Sequence, residues 1–181
     1  MTFVGCVFAA FAAVAGAACG ESDDQASTPT DAAAVTIVLR DYAFGGVPAT
    51  ISSGTPLAVR NESTKEAHEL TAFRLADSET RSLTELQALS PDEFGGIVPG
   101  APVLAIAARP LEGGTLVLGD GTLHEPGRYL LVCFIPAGAD PDQVMTAMSA
   151  AAADPGAGPP QIDGGPPHVA AGMIAELVVM P

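Results

Sequence analysis

The chain has 181 residues, with 7 basic against 21 acidic side chains and a formal net charge of -14. That balance excludes the basic footprint of a nucleic-acid-binding protein and fits a well-solvated surface or one that attracts basic partners. With 48% hydrophobic residues, no Trp, 16 Pro and 20 Gly, the composition supports one domain with a real core and many turns, and argues against a long helical bundle.

Residues 3–18, FVGCVFAAFAAVAGAA, are uncharged and apolar. The run is short for a membrane span and suits the hydrophobic region of a signal peptide, so residues 1–18 are expected to be one. Gly16-Ala17-Ala18 precede Cys19, and a polar stretch follows. Small residues before such a Cys resemble a bacterial lipobox. The resemblance implies lipidation of Cys19, an extracytoplasmic location and anchoring to the cell membrane by two or more acyl chains. Residues 20–34, GESDDQASTPTDAAA, are too polar and small to bury a core. Together with Cys19 they read as a flexible linker, residues 19–34, ahead of a folded domain at 35–181.

From residue 35 the pattern is that of strands. VTIVLR (35–40) alternates apolar and polar positions. DYAFGGVPATI (41–51), TPLAVRN (55–61) and AHELTAFRL (67–75) follow, each bounded by turn residues. Ser82 and Glu85 form a capping box for a short helix to about Leu89. Ser90-Pro91-Asp92-Glu93 starts a second helix that Gly95-Gly96 should stop. VLAIAARP (103–110) and GTLVLGD (114–120) read as further strands. In LHEPGRYLLVCFIP (123–136), Leu130, Val132 and Phe134 fall on one face and Tyr129, Leu131 and Cys133 on the other. Apolar residues on both faces mark a strand covered on both sides. Tyr129, after Pro126-Gly127, looks like a tyrosine corner, which pins a Greek-key crossover through its hydroxyl. In the low-complexity stretch 137–167, Asp140-Pro141-Asp142-Gln143 caps a helix to about Ala153, and the remainder reads as Gly/Pro loop. GMIAELVVMP (172–181) closes as a strand. The elements predict an all-β Greek-key sandwich or barrel with short helical insertions.

Four stretches of the domain resemble the cupredoxin family of plastocyanin-like blue copper proteins. They are Asp41-Tyr42-Ala43-Phe44 with Pro48 and Ile51-Ser52-Ser53-Gly54-Thr55; Asn61 with His68-Glu69-Leu70; Pro126-Gly127 with Tyr129 and Cys133; and His168 with Gly172 and Met173 before a Val-rich strand. The resemblance implies one mononuclear type 1-like copper site. His68 and His168 would be imidazole ligands, Cys133 the thiolate and Met173 a weak axial thioether. Two imidazoles and a thiolate with a long axial sulfur suit both oxidation states of copper. Asn61 would orient the ligand loops through backbone hydrogen bonds. One departure from small cupredoxins is plain: 34 residues separate Cys133 from His168. Long surface loops cost little closure entropy, about 0.6 kcal/mol per doubling. The insertion at 137–167 therefore bears on exposure and partner docking more than on ligation.

Taken singly, each residue has a plainer reading. A strand His is usually structural, a buried Cys is usually inert and a Met usually packs; the ordered set is what points to copper. His124 reads as a solvent residue, Glu69 as an exposed strand residue, and Met145 and Met148 as packing residues. No nucleophile-base order, paired carboxylates or phosphate loop stands out, so no enzyme is expected. Electron transfer with a redox protein partner is the leading function. A copper storage or delivery protein with a copper-exchange partner, or a metal-free cupredoxin-like interaction module, are the alternatives.

Overall fold

The computed structural model describes residues 33–98, 101–154 and 160–181. The expected signal peptide, Cys19 and the linker as far as residue 32 lie outside the described residues. Strand β1 (Val35–Arg40) buries Ile37 and Leu39 and turns the intervening positions outward, as its alternation requires. It turns through Asp41-Tyr42 into antiparallel β2 (Ala43–Gly45) and lies parallel to β4 (Leu57–Asn61). These three make a small sheet in the order β2-β1-β4.

The larger sheet contains β3 (Thr50–Ser52), β5 (His68–Arg74), β6 (Leu104–Ala108), β7 (Thr115–Leu118), β8 (Gly127–Val132) and β9 (Ile174–Met180). Its order is β3-β9-β8-β5-β6-β7. Ile37, Leu39, Val59, Leu70, Leu131 and Leu177 belong to one core cluster that joins the two sheets. The chain is thus the all-β, two-sheet structure that the strand pattern predicts.

The outer face of the larger sheet is also covered. Phe73, Leu130, Val132 and Ile174 form a second cluster with Leu75 and Leu86. Helices α1 (Leu83–Gln87) and α2 (Pro91–Ile97) pack Leu83, Phe94 and Ile97 on it. The two-sided reading of β8 therefore holds, although Phe134 beyond its end is 37% exposed and meets only the edge of Phe73. Both capping boxes form, Ser82 with Glu85 and Ser90 with Glu93. The expected stop at Gly95-Gly96 does not occur, because α2 runs through both glycines to Ile97. Glycine lowers helix stability by only about 1 kcal/mol per residue. Packing of Phe94 and Ile97 on the second cluster offsets that cost.

Stretch 137–167 is more than loop. Its helix α3 (Pro141–Ala153) starts where the sequence places it, with the Asp140 carboxylate accepting the Asp142 and Gln143 N–H groups at 3.0 Å. Val144 and Met148, one turn apart, are buried in the main core, with Met145 partly buried against it. The base of the insertion is pinched shut. Ala137 N–H donates to the Pro166 carbonyl at 3.0 Å, and Gly165 N–H returns to the Ala137 carbonyl at 2.8 Å. The close approach requires glycine at 164, where a Cβ would sit 2.6 Å from the Pro136 Cβ. Among the described residues no helix is long and apolar enough to cross a membrane.

The tyrosine corner is present: the buried Tyr129 hydroxyl donates to the Glu125 carbonyl at 2.7 Å. It fixes the turn that feeds β8. Replacing Tyr129 by Phe should lower unfolding free energy by about 1 kcal/mol, the net worth of one such bond, without moving the strand. Chemical denaturation of the wild type and Y129F checks this; equal midpoints would mean the corner contributes nothing.

Candidate metal centre

Three strand ends meet at one end of the sandwich. In the antiparallel ladder Val132 pairs with both Thr71 and Ile174. Cys133, one residue past β8, therefore lies beside Met173, one residue before β9, and near His68, which opens β5. His168 begins a short 3-10 turn, His168–Ala171, for which the sequence pattern assigns no element. Gly172 ends that turn at φ 100°, a conformation open to glycine at little cost, and its N–H donates to the Val169 carbonyl.

The backbone ties these segments together. Val169 N–H donates to the Cys133 carbonyl at 2.8 Å and Cys133 N–H to the Met173 carbonyl at 3.2 Å. His168 N–H donates to the Ile135 carbonyl at 3.0 Å, and Met173 N–H to the His168 carbonyl at 3.1 Å. The 34-residue separation is thereby cancelled at its ends.

The side chains converge. His68 Nδ1 and His168 Nδ1 lie 3.0 Å apart, and Cys133 Sγ lies 3.3 Å from His168 Nδ1. One ligand atom from each of the three falls within 4.8 Å of the others. His68, Cys133, His168 and Met173 all have zero solvent exposure. Cys133 is a free thiol, and its sulfur accepts the Glu69 N–H at 3.4 Å. Asn61 sits where it can steady the loop before His68. Its Nδ2 donates to the Glu66 and Ala108 carbonyls at 2.8 and 3.2 Å, and its Oδ1 accepts the Ser63 N–H at 2.9 Å.

Burial controls the charges. Desolvation is the largest influence on both imidazoles, pushing His68 down to about 4 and His168 down as well, with repulsion from His168 adding to the shift at His68. Both rings are neutral near pH 7 and offer lone pairs. Burial pushes the Cys133 thiol well above its ordinary range, so in the absence of a cation it keeps its proton. Asp41 is held low chiefly by the Ser63 hydroxyl and next by His68.

Four residues of this neighbourhood escaped the sequence reading. Glu69, taken as an exposed strand residue, is only 4% exposed. It shares the covered face of β5 with Phe73, and its carboxylate accepts the Phe134 N–H at 2.9 Å. Burial raises its pKa. Asp41 Oδ1 lies 3.6 Å from His68 Nε2, and Glu66 Oε2 lies 3.6 Å from His168 Nε2. Tyr42 presents its ring edge-on to His168 at 5.0 Å. Charged residues in turns carry no signal of what they will face; only Tyr42, an aromatic in a turn, hinted at a packing role. His124 is exposed, as expected, and pairs with Asp120 at 2.7 Å.

Two buried neutral imidazoles and a buried thiol, with a buried thioether next in the chain to the turn, fit a type 1 copper site. The donor atoms face one another, while the outer Nε2 of each ring is buried without a hydrogen-bond partner.

No protein-family model matches this chain, and no curated protein matches it. Solved structures similar to it include several copper proteins, among them a multi-copper oxidase from Pediococcus acidilactici. A reduced auracyanin from the photosynthetic bacterium Roseiflexus castenholzii is 15% identical with a TM-score of 0.43, over 82% of this chain and 97% of that one. Auracyanin A, a "blue" copper protein from Chloroflexus aurantiacus, is 16% identical at 0.40, over 81% and 99%. Rusticyanin from Thiobacillus ferrooxidans is 15% identical at 0.35, over 81% and 77%. At such identities and TM-scores these likenesses decide nothing about this chain; its own side chains do.

Metal binding must expel the Cys133 proton, whereas His68, titrating near 4, has none to lose at neutral pH. Affinity should therefore rise about tenfold per pH unit from pH 7 upwards, where both rings are neutral and the free thiol stays protonated, with one proton released per ion. Copper titration calorimetry in buffers of different ionisation enthalpy measures this. An affinity independent of pH would exclude the buried thiol as a ligand.

Proposed function

We propose that this protein is an extracytoplasmic one-electron carrier that holds a single copper ion through His68 Nδ1, His168 Nδ1, Cys133 Sγ and, more weakly, the Met173 thioether. The observation that carries this reading is the mutual approach of three buried donor atoms, from two strand ends and the 3-10 turn, all within 4.8 Å. Copper at such a site supplies a reversible one-electron couple, since neither the donor set nor its geometry favours one oxidation state strongly. The chain does the rest. It keeps water from the donors by burying all four side chains. It holds His68 on the β5–β6 ladder and fixes Cys133, His168 and Met173 by the backbone bonds between their segments. Such rigidity limits the rearrangement that accompanies a change of charge at the centre.

Tethering belongs to the same proposal. Lipidation at Cys19 would hold the domain at the membrane surface, with residues 20–34 giving it reach, and a redox protein would be its partner. Full burial of both imidazoles favours retention of the ion over ready release. This places storage or delivery second. A metal-free interaction module has no use for three converging donors, two of whose rings keep an orphaned nitrogen in the core.

Addition of Cu(II) to the mature domain should give one bound ion and an intense visible thiolate-to-copper band. Cys133→Ser should abolish the band, and His168→Ala should weaken binding at least tenfold. Stoichiometric copper without the band, or a band that survives in C133S, would overturn the assignment.

A further inference from the structure

Each imidazole at the centre has two faces, and only the inner one is accounted for by the four donors. Both rings are wholly buried. A neutral imidazole carries one proton, on Nδ1 or on Nε2, and the unprotonated nitrogen is the one that can bind a metal. The Nδ1 atoms converge 3.0 Å apart beside the Cys133 sulfur. For both to present lone pairs there, both protons must sit on Nε2. These are the two imidazole nitrogens left without a hydrogen-bond partner in the described core.

Each orphaned Nε2 nevertheless faces one carboxylate. Asp41 Oδ1 is 3.6 Å from His68 Nε2, and Glu66 Oε2 is 3.6 Å from His168 Nε2. These distances lie a few tenths of an ångström beyond a hydrogen bond, a gap that a small side-chain rotation closes. The Glu66 side chain is mostly buried, at 17% exposure, while that of Asp41 is 61% exposed and is placed by its backbone. Asp41 stands at the β1–β2 corner, where Tyr42 takes a φ of 61°, a costly conformation for a non-glycine residue, and lays its ring edge on His168. The Ser63 hydroxyl also engages the Asp41 carboxyl. Glu66 is gripped twice: Oε2 accepts the Gly138 N–H at 3.1 Å, and its backbone carbonyl accepts Asn61 Nδ2 at 2.8 Å.

We infer that Asp41 and Glu66 are positioning residues, one for each imidazole, that hold the proton on Nε2, turn Nδ1 towards the metal and bias the centre towards the more highly charged ion. A carboxylate behind a metal-bound imidazole fixes its tautomer and raises its basicity, and such outer partners typically affect metal affinity 10- to 100-fold. A negative charge behind the ring also favours a dication over a monocation. The inference rests on the metal-binding reading and deepens it. The two carboxylates set the oxidation-state preference of the site without touching the ion.

The test uses the full mature chain with D41N and E66Q. Each keeps the shape of the side chain and an acceptor oxygen but removes the charge. D77N removes one exposed charge elsewhere and serves as control. D41N and E66Q should each lower the ratio of Cu(II) to Cu(I) affinity about tenfold, an upward shift in reduction potential of about 59 mV for a one-electron couple. The visible band should be kept, and D77N should shift the ratio far less. Equal ratios in D41N, E66Q and D77N would overturn the inference while leaving copper binding intact.

A second readout does not depend on copper. In protein loaded with Zn(II), which takes the same nitrogen and sulfur donors, nitrogen-15 NMR should find both rings as the Nε2–H tautomer. D41N should perturb the His68 signal more than that of His168, and E66Q the reverse. Nδ1–H rings, or signals indifferent to the matched variants, would overturn it. Zinc binding without a blue copper form would remove the electron-transfer reading and still let the tautomers decide this one. Failure to bind either ion would remove both.

Discussion

Cys133 leaves β8 with both of its backbone groups bonded to the segment that carries His168 and Met173: its carbonyl accepts the Val169 N–H, and its N–H donates to the Met173 carbonyl. This exchange is the constraint on which the rest depends. It continues the β8–β9 ladder past the formal end of both strands, so that two sulfurs are delivered from the end of the ladder and one imidazole from the 3-10 turn bonded to it. The remaining imidazole comes from the start of β5, the neighbour of β8 on its other side. A site built on strand ends in this way is held more firmly than one built on loop tips. The same bonds explain why α3 and its flanking turns can be spliced in between Cys133 and His168 without separating them. Chain inserted above a closed pair of strands adds closure entropy that grows only logarithmically with length.

The cost of the arrangement is electrostatic. Two imidazoles are buried deeply enough to stay neutral, and a thiol is buried deeply enough to keep its proton. Each outer Nε2 lacks a full hydrogen bond, and unsatisfied buried polar groups cost about 1–3 kcal/mol apiece. A protein that used this region only for packing would do better with apolar side chains of similar volume. A cation held there would change the balance, because the Cys133 thiolate and the two inward Nδ1 lone pairs would then have a partner. Function and stability are thus in tension at this end of the sandwich. The apolar clusters on both faces of the larger sheet supply the margin that tolerates it.

Much of this was legible before any coordinates. The alternation of Val35–Arg40, the two-sided apolar run at 129–133 and the capping residues Ser82, Ser90 and Asp140 are local signals, and each element forms where its signal lies. The order His68, Cys133, His168, Met173 was legible as a set, though no member was informative alone. Other features were set by distant contacts and left no local trace. Helix α2 crosses Gly95-Gly96 because Phe94 and Ile97 find a sheet face to cover. Glu69 is buried through a distant partner as well, its carboxylate accepting the Phe134 N–H from the chain beyond β8. Asp41, Tyr42 and Glu66 belong to turns whose partners lie as far off as Tyr42 is from His168, 126 residues, and sequence spacing says nothing about such pairs. The pinch at Ala137 and Gly165 is likewise a tertiary event that a Gly/Pro-rich stretch does not announce.

The central claim is that the Cys133 sulfur and two ring nitrogens share one copper ion. X-ray absorption at the copper edge of the mature, copper-loaded protein reads that shell directly. The account predicts one short copper–sulfur contact with two nitrogen neighbours, the sulfur contribution vanishing in C133S. A shell of nitrogen and oxygen alone, with no short sulfur, would contradict it.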